Sequence, residues 1–101
     1  MMVFSYVILK KARKELLDAW KWYEDRQEGL GDKFKNQVFQ KITQILLNPE
    51  RYPERKNNFR EVTVAIFPYL LIYKISRKKK VITIVSVFHT RRNPGKKYTA
   101  K

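Results

Sequence analysis

The sequence predicts an α+β domain of two layers, in which an antiparallel helical hairpin packs on a small antiparallel sheet. Three observations lead to this prediction. A short apolar segment rich in β-branched residues opens the chain, two amphipathic segments follow it, and three apolar segments separated by turn residues come last. The element order is therefore β-α-α-β-β-β. The apolar stripes of both helices can be buried together on one sheet face, which gives a single core.

The first half of the chain supplies one strand and both helices. Val3 to Leu9 is apolar on both faces, which favours a strand in the interior of the sheet. Apolar residues at three- and four-residue steps predict one helix over Lys11–Glu28 and a second that ends at Asn48. Gly29-Leu30-Gly31 breaks the pattern, and Asp32 is the predicted N-cap of the second helix. Because the connection is so short, the two helices should lie antiparallel.

The second half supplies three strands and most of the charge. The strands are predicted over Phe59–Ile66, Tyr69–Ile75 and Val81–Phe88. Residues 49–58 form a proline-containing connection, residues 76–80 form a hairpin turn, and residues 89–101 form a basic tail that we expect to be partly flexible. A chain of 101 residues fits a single domain.

The charge of the chain indicates the chemistry of its partners. Lys and Arg number 23 against 9 Asp and Glu, which gives a net charge of +14. Most of the excess lies after residue 47, where the three acidic residues are Glu50, Glu54 and Glu61. Such a field favours RNA, DNA or an acidic protein segment as partner.

Composition excludes several classes of site. The chain has no cysteine and one histidine, so we predict neither a metal site nor a cofactor. No apolar run reaches the roughly 18 residues of a membrane-spanning helix. The lysines follow the first apolar segment instead of preceding it, which is the wrong order for a signal peptide. We therefore expect a cytoplasmic protein without a membrane partner.

Four segments taken in order resemble the RelE/ParE superfamily of toxins. They are WYEDRQEGLGDKF, NPERYPERKNNFREV, FPYLLIYKI and ITIVSVFHTRRNP, and the resemblance extends roughly from Val3 to Pro94. The superfamily comprises the toxin halves of type II toxin–antitoxin pairs, often described as plasmid stabilisation proteins. The resemblance implies a small sheet with an N-terminal helical hairpin, growth inhibition, and a heteromeric complex with a cognate antitoxin.

The superfamily contains two mechanisms, and the sequence leaves both open. ParE-like members poison DNA gyrase by binding it, whereas RelE-like members cleave mRNA on the ribosome without a metal. The long helical hairpin and the FHTRRNP ending are more similar to the ParE-like members, so gyrase is the preferred target. A RelE-like endoribonuclease is the alternative. A small nucleic-acid-binding protein is a second alternative, which explains the charge but not the order of segments.

Two sets of candidate residues follow. If the protein cleaves RNA, the resemblance and the needs of acid–base catalysis point to His89, Arg60, Arg91, Arg92 and Tyr98. If it acts by binding, cations and one aromatic residue off the apolar stripe of the first helix form the candidate surface. These binding residues are Lys56, Arg60, Arg77, Lys78, Arg91, Arg92 and Trp22.

Overall fold

The computed structural model describes residues 3–91, so Arg92, Tyr98 and most of the predicted tail lie outside the described residues. The order β-α-α-β-β-β is confirmed. The elements are β1 (Ser5–Ile8), α1 (Lys10–Arg26), α2 (Leu30–Leu47), β2 (Arg60–Thr63), β3 (Tyr69–Ser76) and β4 (Val81–His89). Neither described helix is long and apolar enough to cross a membrane.

The four strands form one mixed sheet in the order β1-β4-β3-β2. Strands β2, β3 and β4 are antiparallel, as predicted. Strand β1 instead pairs in parallel with β4, from Ser5 opposite Val81 to Ile8 opposite Ile84. The chain can make this parallel pairing because both helices lie in the connection between β1 and the other strands. The prediction of a wholly antiparallel sheet is therefore corrected at β1.

Strand β1 lies at an edge of the sheet and not in its interior. Phe4 and Ile8 pack against the core, while Tyr6 and Val7 are exposed. The apolar character of this strand on both faces led to the wrong prediction, because an exposed edge strand can carry the same residue types as a buried one.

Both helices pack on one face of the sheet and share one core. The buried residues of this core are Ala12, Leu16 and Ala19 of α1, Phe34, Val38, Ile42 and Ile45 of α2, and Val62, Val64, Leu71, Tyr73, Ile82, Ile84 and Val87 of the sheet and its turns. A smaller cluster of Phe59, Ile72, Val85 and Phe88 also forms. The apolar stripes read from the sequence are therefore the buried faces of the helices.

Helix α2 begins two residues before the predicted N-cap, Asp32. Gly29 is the N-cap, with φ of 86°, a conformation that glycine adopts without steric cost. The Glu24 carboxylate accepts hydrogen bonds from the N–H groups of Gly29 and Gly31, at 2.8 and 2.9 Å. The Asp32 carboxylate is occupied elsewhere, because it accepts a bond of 2.8 Å from the Trp20 indole. A glutamate of α1 thus binds the N-terminus of α2, which local sequence rules do not reveal.

A bulge in β4 separates its two halves. Ser86 lies opposite Ile72 and Ile84 lies opposite Tyr73, so Val85 is the extra residue. Strand β1 pairs with β4 only as far as Ile84. Beyond that point, α1 lies beside the outer edge of β4.

Glu15 joins α1 to this second half of β4. Its Oε1 accepts hydrogen bonds from the Ser86 hydroxyl at 2.8 Å and from the Val87 N–H at 2.9 Å. The carboxylate therefore satisfies a backbone donor that a neighbouring strand would otherwise bind. This contact fixes the distance between α1 and the end of β4, where the candidate site lies.

Candidate functional site

An open groove of about 560 Å³ lies between α1 and the adjacent ends of β3 and β4. It brings together three residues that the sequence singled out, Trp22, His89 and Arg91. The groove is lined by Glu15, Asp18, Ala19, Trp22, Tyr23, Pro68, Tyr69, His89 and Arg91.

His89 is the last residue of β4 and is held by two contacts. Its ring meets the ring of Tyr69 edge to face, with centroids 4.9 Å apart. Its Nδ1 accepts a hydrogen bond of 3.1 Å from the Arg91 N–H. A neutral histidine that accepts at Nδ1 carries its proton on Nε2. His89 is therefore oriented to offer Nε2–H as a donor.

Trp22 gives the groove an exposed aromatic wall. It lies off the apolar stripe of α1 and is 52% exposed. The Arg26 guanidinium stacks 3.6 Å from the centre of its ring, and Tyr23 meets it edge to face at 5.1 Å. Large rigid side chains of this kind often anchor protein–protein interfaces.

Tyr23 and Tyr69 belong to an aromatic cluster beneath the groove. Tyr23 contacts Phe34 and Phe67 at centroid distances of 5.4 and 4.9 Å, and Phe34 contacts Tyr69 at 4.9 Å. Burial raises the pKa of Tyr23. The ring contacts of this cluster place an aromatic surface beneath the groove.

The walls of the groove carry charges of both signs. Arg91 is exposed on one side, and the carboxylates of Glu15 and Asp18 lie on the α1 side. Asp18 is exposed and forms an ion pair of 2.8 Å with Lys14. The Glu15 side chain is 9% exposed and is bound to β4. Lys11 lies 3.9 Å from the Glu15 carboxylate, so the α1 wall is close to neutral. Among the described residues, the groove is therefore not lined uniformly by cations, as a cleft for a nucleic-acid backbone would be.

Arg60 lies at the other end of the sheet. It pairs with Tyr73, four residues along β3 from the Tyr69–His89 pair, a separation of about 13 Å along the strand. Its side chain is 13% exposed, donates a bond of 2.7 Å to the Tyr52 carbonyl, and lies 3.6 Å from the Glu54 carboxylate. Arg60 therefore holds the connection between α2 and β2 in place.

Comparison with known proteins supports a family assignment. The family model described as "ParE toxin of type II toxin-antitoxin system, parDE" matches residues 6–94. The chain belongs to this ParE toxin family. Comparison with curated protein sequences gives no significant match.

Solved structures of toxins have the same fold as this ParE-family chain. One is the "Chromosomal ParDE TA system from P. aeruginosa", which is 14% identical with a TM-score of 0.73 and covers 90% of this chain and 100% of that chain. Another is an E. coli toxin RelE mutant in the free state, which is 20% identical with a TM-score of 0.70 and covers 92% of this chain and 90% of that chain.

The remaining predicted cations of this ParE-family toxin lie away from the groove. Lys56 is exposed in the connection before β2, and Lys78 is exposed in the β3–β4 turn. Arg77 lies in the same turn, and its Nε is 2.6 Å from the Glu50 carboxylate. That turn joins the ends of β3 and β4 opposite His89, so these cations do not complete a site with it.

Sequence reasoning missed two acidic members of the groove. Glu15 and Asp18 lie seven and four residues before Trp22, so they share one side of α1 with it. This helical spacing is the feature of the sequence that could have placed both carboxylates beside Trp22. Within residues 3–91, no group of three or more His, Cys, Asp or Glu side chains could hold a metal ion.

Proposed function

We propose that this ParE-family toxin inhibits growth by binding DNA gyrase through the groove between α1 and β4. A toxin with this target acts in the cytoplasm. The observation that carries the proposal is the pair of exposed side chains that flank the groove. Trp22 on α1 and Arg91 after β4 offer the aromatic and arginine anchors of a protein interface, and the carboxylates of Glu15 and Asp18 beside Trp22 leave the α1 wall without excess positive charge.

The arrangement of the three predicted catalytic residues that the structure describes also favours binding over RNA cleavage. Metal-independent cleavage needs a base, an acid and cations grouped around one phosphate. His89 and Arg91 line the groove, but Arg60 is engaged with Tyr52 and Glu54 at a distance. A RelE-like endoribonuclease and a small nucleic-acid-binding protein are the competing functions.

A cognate antitoxin is the second proposed partner, since the family consists of toxins of parDE systems. The net charge of +14 favours an antitoxin with an acidic binding segment. A segment that is disordered when free can cover a large surface and still be removed by proteolysis. We propose that the two proteins form a heteromeric complex that silences the toxin.

The test of the target uses two assays on the same purified protein. Supercoiling by gyrase and cleavage of mRNA on translating ribosomes are measured with the wild type and with Trp22→Ala, His89→Gln and Arg91→Ala. We expect inhibition of gyrase by the wild type and a loss of roughly tenfold or more for Trp22→Ala, as for an interface anchor. Leu17→Ala and Arg55→Ala change exposed side chains outside the groove and serve as controls.

The competing functions give different results. Codon-level mRNA cleavage that disappears in His89→Gln would establish a ribonuclease, because loss of a general acid–base group lowers the rate by about 10²–10⁴. Tight binding of short RNA or DNA that is insensitive to all three groove variants, with no effect on gyrase, would favour the nucleic-acid-binding protein.

A further inference from the structure

A second cleft lies at the end of the sheet opposite the groove. Its volume is about 350 Å³, and it lies between the C-terminus of α2, the start of β1 and the β3–β4 turn. Phe4 and Leu46 form its floor and pack against the core. Leu47, the last residue of α2, is 81% exposed at its margin. The fold thus leaves a large aliphatic side chain uncovered beside an apolar floor.

The rim of this cleft carries one net positive charge, that of Lys80, and the β3–β4 turn beside the cleft carries two more on the exposed Lys78 and Lys79. Glu50 neutralises Arg77, but within residues 3–91 no carboxylate lies within ion-pair distance of these three lysines. The C-terminus of α2 contributes the opposite sign, equivalent to about half an elementary charge. The Lys80 charge exceeds this partial charge, and Lys78 and Lys79 in the adjoining turn add to the positive field, so the rim attracts an acidic group.

Lys80 occupies a backbone conformation that does not suit a lysine. Its φ is 55°, a left-handed value that glycine and asparagine adopt much more readily. The Lys80 carbonyl accepts a hydrogen bond of 3.0 Å from the Ser5 N–H, and the residue lines the cleft. The chain therefore has a charged residue at the cleft, at a position where glycine would remove the strain of the left-handed backbone conformation.

We propose that this cleft binds an acidic segment of the antitoxin, in which one large aliphatic side chain stands beside carboxylates. The inference rests on the proposed function, which supplies the partner. A volume near the lower limit of about 300 Å³ for ligand pockets suits one or two side chains and not a whole helix. Leu47 and Pro49 form an aliphatic wall, and the aromatic side chain in the lining, Phe4, packs against the core. The cleft therefore offers little for the stacking of bases, and a protein segment fits better than RNA.

The position of the cleft favours the antitoxin over gyrase. The cleft lies at the opposite end of β3 and β4 from the groove, so a segment bound here leaves the groove accessible to another part of the same chain. Two linked contacts bind more tightly than either contact alone, because the second becomes intramolecular. An antitoxin that competes with the target for the groove gains affinity from such a second contact.

The experiment measures binding of the toxin to the protein encoded beside its gene, by calorimetry at two salt concentrations. We expect Leu47→Gln to weaken binding roughly tenfold, as for a buried interface anchor. Lys80→Gly should weaken binding and reduce its salt dependence, while the melting temperature of the free toxin stays equal or rises. Leu17→Gln and Lys33→Gln are the matched controls, since both change exposed side chains outside this cleft.

The outcomes separate the cleft from the proposed function. If the wild type does not bind the adjacent gene product, the proposed partner fails and the cleft inference fails with it. If the wild type binds and the cleft variants bind equally well, only the cleft inference is wrong. Loss of gyrase inhibition in Leu47→Gln, or conversion of a self-associating toxin to a monomer by that change, would assign the cleft to the target or to a second copy instead.

Discussion

The arginine side chains at the two ends of the sheet differ in their exposure and in their bonds to the rest of the fold. At the end near the β3–β4 turn, Arg60 is nearly buried and bound to the Tyr52 carbonyl and the Glu54 carboxylate. At the groove end, Arg91 is exposed beside His89, which its own backbone N–H orients. Both arginines were candidates for the same phosphate site, but only Arg91 lies where a partner can reach it.

The difference shows what separates a structural cation from a functional one in a highly basic protein. A guanidinium that already has a carbonyl and a carboxylate partner stabilises the fold, and breaking those bonds to bind a ligand would cost free energy. An exposed guanidinium contributes little to folding and is available for recognition. The residue type is the same, so the partners within the fold decide the role.

The largest stability effect that we predict is at Glu15, which joins the groove wall to β4. Glu15→Ala should lower the free energy of unfolding by about 3 kcal/mol, because the Ser86 hydroxyl and the Val87 N–H lose a charged acceptor in a part-buried site. Glu15→Gln keeps an acceptor oxygen and should lose only about 1 kcal/mol. Urea unfolding measures both changes.

Asp18→Ala is the control for Glu15. Asp18 lies on the same wall, but its ion pair with Lys14 is exposed and should be worth at most about 1 kcal/mol. Equal destabilisation by Glu15→Ala and Asp18→Ala would mean that the contact of Glu15 with β4 does not support the groove.

The second prediction tests the two arginines directly. Arg60→Met should lower the free energy of unfolding by about 2 kcal/mol, since it removes bonds from a charged, part-buried donor. Arg91→Gln should change stability by less than about 1 kcal/mol, as for an exposed charge, and should lower gyrase inhibition. Urea unfolding and the supercoiling assay are run on both variants. If Arg60→Met folds but no longer inhibits gyrase, while Arg91→Gln still inhibits it, then Arg60 is the functional arginine and the assignment of the two roles is wrong.

The sequence predicted the order of elements because apolar spacing is a local property. The helical stripes around Ala12 and Phe34 and the three antiparallel strands all follow from it. The parallel pairing of β1 was not predicted, since no local pattern states which strand an edge strand will join. The start of α2 was misplaced because its cap, Glu24, comes from the preceding helix.

The candidate site could be predicted only in part for a similar reason. His89 and Arg91 are two residues apart and therefore lie near each other in any fold. Trp22 joins them only through the packing of α1 on β4, which the side chain of Glu15 fixes. The role of Arg60 depends on Tyr52, in an irregular connection whose path the sequence does not specify.

The third prediction uses the pH dependence at the Arg60 end. Burial raises the pKa of Tyr73 from 10.0 to about 12, although the nearby Arg60 charge acts in the opposite direction. Between these two pH values the unfolded chain releases the Tyr73 proton while the folded protein keeps it. The stability due to this group is therefore complete below pH 10 and is lost as the pH rises towards about 12.

Tyr73→Phe isolates this effect. The variant should lose about 1 kcal/mol at neutral pH, because the hydroxyl donates a hydrogen bond of 2.9 Å to the Pro49 carbonyl. Its stability should then fall less steeply than that of the wild type between pH 10 and 12. Tyr6→Phe, at an exposed tyrosine, is the control. Parallel pH curves for the wild type and Tyr73→Phe would contradict the prediction.

A small effect of the opposite sign, a gain in stability, is expected in the β2–β3 turn. Ile66 has φ of 62°, a left-handed value that strains a β-branched residue, and it is 73% exposed. At the other end of the sheet, the comparable values of 55° and 68° belong to Asn57 and Asn58, which tolerate this conformation. The strained and exposed isoleucine lies two residues before Pro68, which lines the groove.

Ile66→Asn should therefore raise the free energy of unfolding by about 0.5–1 kcal/mol, or the melting temperature by a few degrees. It should also weaken inhibition of gyrase, because an exposed aliphatic side chain beside the groove adds apolar contact area to the interface. Thermal unfolding and the supercoiling assay measure the two effects, and Ala65→Asn in the same turn controls for the added amide. A stabilised variant with full inhibition would remove Ile66 from the interface and confine the gyrase contact to the groove. A destabilised variant would mean that Ile66 makes contacts whose loss outweighs the strain at its backbone.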